Sequence, residues 1–269
     1  MQKYTYHTHN NFDGVFDGRS TCEEMISKAC ELGFEQIGVS NHLVYHQNVP
    51  LGHRMFFNDF KRALDVYKRS YDEIERVSSL YNINVLKGFE VDFFPSKEWR
   101  NSFEIFIKEL KPDYLIGSTH FIRDKYEHNM YNIYHLDSLP ANITKEDLNE
   151  LLLNYWNNII ESVKSGYFNF IAHMDYCTQF DLCIDEKWND IKYKLIDTLK
   201  EYNQAFEINT SGIRRIGRPF PDRWIIDDLI KSKVPVLISD DAHSTDILGC
   251  GFDIAEDYLN KYDCIRYKI

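Results

Sequence analysis

Seven short runs rich in β-branched or aromatic residues, each followed by a longer stretch with helical patterning, set the architecture open to this chain. The runs are Tyr4 to His7, Gln36 to Ser40, Asn84 to Phe89, Tyr114 to Ser118, Phe168 to Ala172, Ala205 to Asn209 and Val234 to Ile238. The helical stretches are Thr21 to Leu32, Asn58 to Tyr81, Trp99 to Leu110, Lys145 to Ser165, Glu186 to Tyr202, Asp222 to Ser232 and Asp246 to Asn260. Thr21 with Glu24 three residues on offers a capping box for the first of them. Regular alternation implies parallel strands joined by crossover helices, hence a closed barrel or a doubly wound sheet. About seven strand–helix units favour an α/β barrel with one fewer than the usual eight.

Side chains able to bind a metal gather at the C-terminal ends of these runs. His7 and His9 end the first, and the period of two in a strand sends both imidazoles out of one face. His42 follows the second run, Glu90 the third, His120 the fourth and His173 the fifth, while Asp241 and His243 follow the last. In a barrel all these ends meet on one face, where active sites are built. Histidines that only filled the core would have no reason to choose that end each time. Glu90 closes an apolar run, where a carboxylate is costly to bury unless it meets a cation. Asp241 and His243 repeat the two-residue spacing, so Asp240 is expected to face away as a structural or supporting residue. Asp92 and Asp175, each two residues past a candidate, are expected to orient ligands. His46, His53, His128 and His135 read as ordinary loop histidines.

Composition narrows the function. With 269 residues, 43% hydrophobic and 15% aromatic, and no Pro/Gly/Ser-rich linker, the chain can bury a large core and reads as one domain over residues 1–269. The six cysteines show no Cys-x-x-Cys pair, which argues against a thiolate zinc ribbon or a disulfide framework and fits a reducing cytoplasm. No apolar run reaches the ~20 residues of a membrane span, and no export signal is evident at the N-terminus, so a soluble, unexported protein is expected. A net charge of −11 disfavours a surface that grips nucleic-acid phosphates, yet leaves room for a small phosphate ester held by metal ions.

Together these segments resemble the PHP (polymerase and histidinol phosphatase) superfamily and, within it, the histidinol-phosphatase branch. The resemblance rests on His-Thr-His at 7 to 9, Asp17-Gly18, Ser-Asn-His at 40 to 42 and Gly-Phe-Glu-Val-Asp-Phe at 88 to 93. It continues through Gly-Ser-Thr-His at 117 to 120, Ala-His-Met-Asp at 172 to 175, Glu-Ile-Asn-Thr-Ser-Gly at 207 to 212 and Asp-Ala-His at 241 to 243. It implies a distorted (β/α)7 TIM-like barrel holding three divalent ions of zinc, manganese or iron. By motif, one ion would take His7, His9, Glu90 and Asp241, a second Glu90, His120 and His173, and a third Asp17, His42 and His243. Asp13, in its own Asp-Gly pair, competes with Asp17, which is favoured by its distance from the following helix.

The same resemblance implies a metal-dependent phosphomonoesterase for a small phosphorylated metabolite. L-histidinol phosphate is the leading substrate, cleaved by attack of a metal-bridging hydroxide. Arg214 matches the family's arginine after the sixth strand and is the expected phosphate clamp and catalytic cation, with Arg215 and Arg218 as alternatives. Two departures bear on substrate. Similar phosphatases carry Asp-Leu-x-Arg after the fifth motif, where this chain reads Asp175-Tyr-Cys-Thr-Gln179, and the loop after His120 reads Phe-Ile-Arg-Asp-Lys-Tyr. Arg123 or Lys125 is a candidate to restore the lost charge. A PHP phosphoesterase for a sugar phosphate or nucleotide is therefore the alternative, and a metal-dependent phospho-ligand-binding module a third. The acid that protonates the leaving group is not identified by the sequence, nor is the oligomeric state.

Overall fold

The computed structural model describes residues 2–46, 55–123, 130–133, 136, 139 and 143–269. In chain order, β1 (Tyr4–Thr5) leads through a long loop to α1 (Cys22–Glu31) and β2 (Gln36–Val39). Next come β3 (His42–Tyr45), β4 (Phe56–Phe57), α2 (Phe60–Ser78), β5 (Asn84–Asp92) and α3 (Lys97–Leu110). After β6 (Tyr114–Ser118), the antiparallel pair β7 (Phe121–Arg123) and β8 (Met130–Asn132) precedes α4 (Lys145–Ser165). The order ends with β9 (Phe170–Ile171), α5 (Asn189–Glu201), β10 (Ala205–Asn209), α6 (Ser211–Ile216), α7 (Arg223–Lys231), β11 (Val236–Ser239) and α8 (Phe252–Leu259).

The helices follow their sequence signals. Thr21 caps α1 with the expected reciprocal bonds to Glu24. In α2 the buried Ala63, Val66, Tyr67, Ser70, Tyr71, Ile74 and Val77 recur at three- and four-residue spacing, which lays one face on the sheet.

Seven strands pair in parallel in the order β1-β2-β5-β6-β9-β10-β11. The two edges of this sheet meet at a bridge between Thr8 and Ala242, where the His9 N–H donates to the Ala242 carbonyl at 2.8 Å. The result is the expected seven-stranded α/β barrel, nearly closed. Its interior, distinct from the larger core under the helices, is filled by Tyr6, Tyr114, Ile116, Phe170, Ala172, Ala205 and Leu237. The Tyr114 ring lies so close to β2 and β5 that a Cβ at Gly38 or Gly88 would come within 2.2 or 2.3 Å of it. Glycine at both positions is what lets this plug sit inside the barrel.

Several boundaries differ from the sequence reading, among them the first strand, which ends at Thr5 and not His7. Strand β5 runs past Phe89 to Asp92, because β3 pairs with its far end, His42 opposite Glu90. The expected helix Asp246 to Asn260 breaks into a 3-10 turn at Thr245–Ile247 and α8, with Gly249 and Gly251 at φ of 74° and 80° between them. A 3-10 turn at Glu186–Trp188 likewise precedes α5.

Candidate metal centre

Strand alternation turns Glu90 and Asp92 to one face at the end of β5, while the loops after the other strands bring the histidines over them. Glu90 is the hub and is fully buried. Its Oε2 lies 3.3 Å from His7 Nε2, 3.5 Å from His9 Nε2 and 2.9 Å from His42 Nδ1. Its Oε1 lies 2.7 Å from His173 Nε2 and 3.3 Å from His120 Nε2. Asp241 Oδ1 stands 3.2 Å from His9 Nε2 and 3.6 Å from His7 Nε2. On the outer side, Asp17 Oδ2 lies 3.0 Å from His243 Nε2 and 3.5 Å from His42 Nε2.

All nine candidate ligands thus come together, in four overlapping sets. His9, Asp17, His42 and His243 offer atoms within 4.8 Å of one another, as do His7, His173 and Asp241; His7, His9 and Glu90; and His42, Glu90 and His120. The grouping departs from the expected one: His9 joins the Asp17 set, His173 falls with His7 and Asp241, and His42 also joins Glu90 and His120. Asp13 sits outside, paired with Arg69 at 2.6 Å on the surface.

A further layer of acceptors decides which imidazole nitrogen faces inward. A carboxylate or carbonyl can only accept, so the partnered nitrogen carries the proton and the other keeps its lone pair. His7 Nδ1 donates to Glu207 Oε2 at 2.9 Å, His120 Nδ1 to Asp92 Oδ2 at 2.9 Å, and His243 Nδ1 to the Asp241 carbonyl at 2.9 Å. In His7 and His120 the free lone pair is on Nε2, whereas His243 Nε2 itself meets Asp17 Oδ2 at 3.0 Å. Glu207 also accepts from the His173 backbone N–H at 2.9 Å and from Asn209 Nδ2 at 2.8 Å. Its position in the apolar strand Ala205–Asn209 was a signal the sequence reading passed over. Tyr176 was missed as well. Its ring stacks on His173 with centroids 3.9 Å apart, and its hydroxyl reaches Asp241 Oδ2 at 3.4 Å.

The donor set fits divalent cations. His7 Nε2, both nitrogens of His9, His42 Nδ1, Asp17 Oδ1 and Glu90 Oε2 are buried without a hydrogen bond. His42 Nδ1 and Glu90 Oε2 stay unsatisfied although 2.9 Å apart, because their alignment is wrong for one. Buried lone pairs left open are costly unless a cation meets them. Burial alone would raise the Glu90 carboxyl, but His42, His120 and His7 outweigh it and hold it well below the carboxylate range. Asp241 is lowered in the same way against burial, by His7 and His9. Burial with His243 and His42 pushes His9 down to about 3, keeping it a neutral donor. His42 goes the other way, raised despite burial by Glu90 and Asp17.

The cluster opens onto a cavity of about 300 Å³. Asp17, His42, Glu90, His120, Asp241 and His243 form its floor, and Val44, Met55, Phe56 and Phe121 form an apolar wall. Arg215 lines it, whereas the expected clamp Arg214 does not. The two follow each other in the short α6, so they point in different directions. Arg218 is held by Asp222 at 2.8 Å and donates to the Thr178 carbonyl at 2.7 Å. Asp92 supports His120 as expected, and Asp240 faces away to accept from Thr5 Oγ1 at 3.0 Å. Asp175 does not support His173. It accepts from the Asp222 N–H at 2.6 Å and from Thr178 Oγ1 at 3.2 Å, and burial raises its carboxyl to about 7. His46 is buried against Phe94, while His53, Lys125, His128, His135 and the Arg123 side chain lie outside the described residues.

Known proteins resemble this chain over most of its length. A probable histidinol-phosphatase from Thermotoga maritima is 24% identical over 259 residues, covering 96% of this chain and 91% of that protein. The histidinol-phosphatase of Bacillus subtilis is 21% identical over 272 residues, covering 94% and 98%. A crystal structure of histidinol phosphate phosphatase from Lactococcus lactis subsp. lactis Il1403, complexed with Zn, L-histidinol and phosphate, superposes with a TM-score of 0.70. That match has 19% identity and covers 98% of this chain and 95% of that one. The PHP domain family model matches residues 5–211, and with the barrel and its clustered histidines and carboxylates this places the chain in the PHP domain family.

Proposed function

We propose that the protein is a metal-dependent phosphomonoesterase that hydrolyses L-histidinol phosphate to L-histidinol and phosphate. The observation that carries this reading is the set of buried, unbonded nitrogen and oxygen atoms opening onto a cavity that also holds an arginine and an apolar wall. A purely structural metal site is usually closed by about four ligands, whereas here two of the sets share Glu90 and the cluster faces open space. The names of the relatives from Thermotoga maritima and Bacillus subtilis point to the same substrate.

On this reading His7, His9, Glu90 and Asp241 hold one ion, Glu90, His120 and His173 a second, and Asp17, His42 and His243 a third, drawn from zinc, manganese or iron. Bound there, such ions supply Lewis-acid charge that polarises phosphoryl oxygens and lowers the pKa of adjacent water. The chain does the rest. Arg215 binds the phosphate and balances charge on its oxygens. Among the described residues the cavity lining contains no serine or cysteine, so water is the nucleophile, attacking phosphorus in line with the leaving alcohol. Val44, Met55, Phe56 and Phe121 keep solvent from one side and present an apolar surface to the imidazole of the substrate. We take residues 1–269 as one such domain working in the cytoplasm; no helix among the described residues is long and apolar enough to cross a membrane.

The second reading, an ester such as a sugar phosphate or nucleotide, is favoured by the absence of arginine from Tyr176 to Gln179. A panel of histidinol phosphate, sugar phosphates and nucleotides, assayed after loading with manganese or zinc, tests the two. Histidinol phosphate should be turned over fastest; equal turnover of every ester, or none of histidinol phosphate, would overturn the specific claim.

A further inference from the structure

We infer that Tyr176 is a catalytic residue, whose hydroxyl delivers the proton taken up by the leaving alkoxide; this rests on the phosphatase reading above. Tyr176 begins the 3-10 turn Tyr176–Phe180 immediately after the His173 loop, and its side chain lines the cavity beside Asp241 and His120. The ring is clamped. One face stacks on His173 at 3.9 Å with 8° between planes, the edge of Phe220 approaches at 4.8 Å, and the residue is 2% exposed. Its backbone N–H is tied to Tyr155 Oη at 3.1 Å. Such a phenol has one position and needs no reorganisation to act.

The rest of the described lining has no proton to give. Asp17, His42, Glu90, His120, Asp241 and His243 are assigned to the ions and present lone pairs inward. Arg215 keeps its proton at neutral pH. Both oxygens of Asp92 already accept from His120, at 2.8 Å from its N–H and 2.9 Å from its Nδ1. Asn132 is an amide. The Tyr176 hydroxyl stands 3.4 Å from Asp241 Oδ2, a long contact at the edge of the cavity. A phenol O–H is a hydrogen-bond donor, and the leaving oxygen gains negative charge as its bond to phosphorus breaks. As the phosphorus–oxygen bond breaks, its electron pair goes to the leaving oxygen, which takes the phenolic proton. The phenolate is then reprotonated by water in the open cavity.

The test is Tyr176→Phe, which keeps the ring and its stacking, assayed with two esters that differ in leaving group. With histidinol phosphate kcat should fall by about 100-fold or more. With p-nitrophenyl phosphate, whose leaving group departs without a proton, it should change by less than about fivefold. Bound metal per chain and the thermal midpoint are measured alongside and should match the wild type. Equal losses on both esters, unchanged turnover of histidinol phosphate, or loss of metal from the variant would each overturn the proton-donor role. Wild-type protein that hydrolyses neither ester would instead overturn the phosphatase reading, and this inference with it.

Discussion

The chemistry of the centre depends on residues that would touch no ion. Glu207 accepts from His7 Nδ1 and from the His173 backbone N–H, so one carboxylate fixes two of the proposed ligands. Replacing it by glutamine keeps the volume but lets the amide present N–H where His7 needs an acceptor. Glu207→Gln should weaken metal binding by about 10- to 100-fold, read by competition with a chromogenic chelator, with the circular dichroism spectrum unchanged. The arginines give a second residue-level prediction. Arg215 lines the cavity and Arg214 is exposed away from it. Arg215→Ala should lower kcat/KM for the phosphate ester by about 100-fold, the loss of a charge-assisted hydrogen bond pair, while Arg214→Ala stays within about twofold of wild type. The reverse ranking in steady-state kinetics would return the clamp to Arg214. Eight of the nine metal-ligating candidates were legible as residue types at strand ends, and Asp17 came only from the family resemblance. Glu207 was not, because a lone carboxylate within a strand does not announce its partners, which lie 200 and 34 positions away.

Among the elements, β5 does the most to shape the site. It pairs with β2 along its first half and with β3 and β6 along its second, which carries Glu90 and Asp92 into the barrel mouth within regular backbone. Its period-two pattern was visible in sequence, but its length was not, since its far end is set by pairing with β3 and β6, strands distant or unread in the sequence. The floor of the mouth depends on Gly88 in the same strand. A methyl group there would meet the buried Tyr114 ring at 2.3 Å, and that ring has no room to retreat. Gly88→Ala should cost about 1–3 kcal/mol in urea unfolding. Combined with Tyr114→Leu, it should cost less than the sum of the two single changes, because the clash is then removed. Additive losses would show that the strand yields instead of the ring. The split of the last helix has a comparably local cause. Gly249 and Gly251 at positive φ turn the chain after the 3-10 segment, and Asp240 accepts from the Gly249 N–H.

At the scale of the whole molecule, stability should follow the buried phenols and the proposed ions. Burial pushes the hydroxyls of Tyr67, Tyr71, Tyr114 and Tyr155 above their usual value near 10. Above pH ~10 the unfolded chain therefore releases protons that the folded chain retains, so unfolding becomes more favourable as pH rises. Each such group costs about 1.4 kcal/mol per pH unit, giving a steep alkaline loss in the urea midpoint that is absent near neutrality. A flat profile from pH 8 to 11 would contradict the packing around these rings. Zinc or manganese at about 100 times its dissociation constant should add about 2.7 kcal/mol and raise the thermal midpoint by several degrees, an increase that EDTA reverses. The repeating strand–helix order and the placing of histidines and carboxylates after strands were determined by sequence, because hydrophobic periodicity is local and a parallel sheet gathers its strand ends on one face whatever the loops do. The placing of Asp17 beside His243 and of Asp13 against Arg69, of Arg215 at the cavity, of Glu207 against His7 and of Tyr176 against His173 came only with the tertiary structure. Each depends on the direction in which a side chain leaves a loop or short helix, and that direction is set by contacts between segments far apart in the chain.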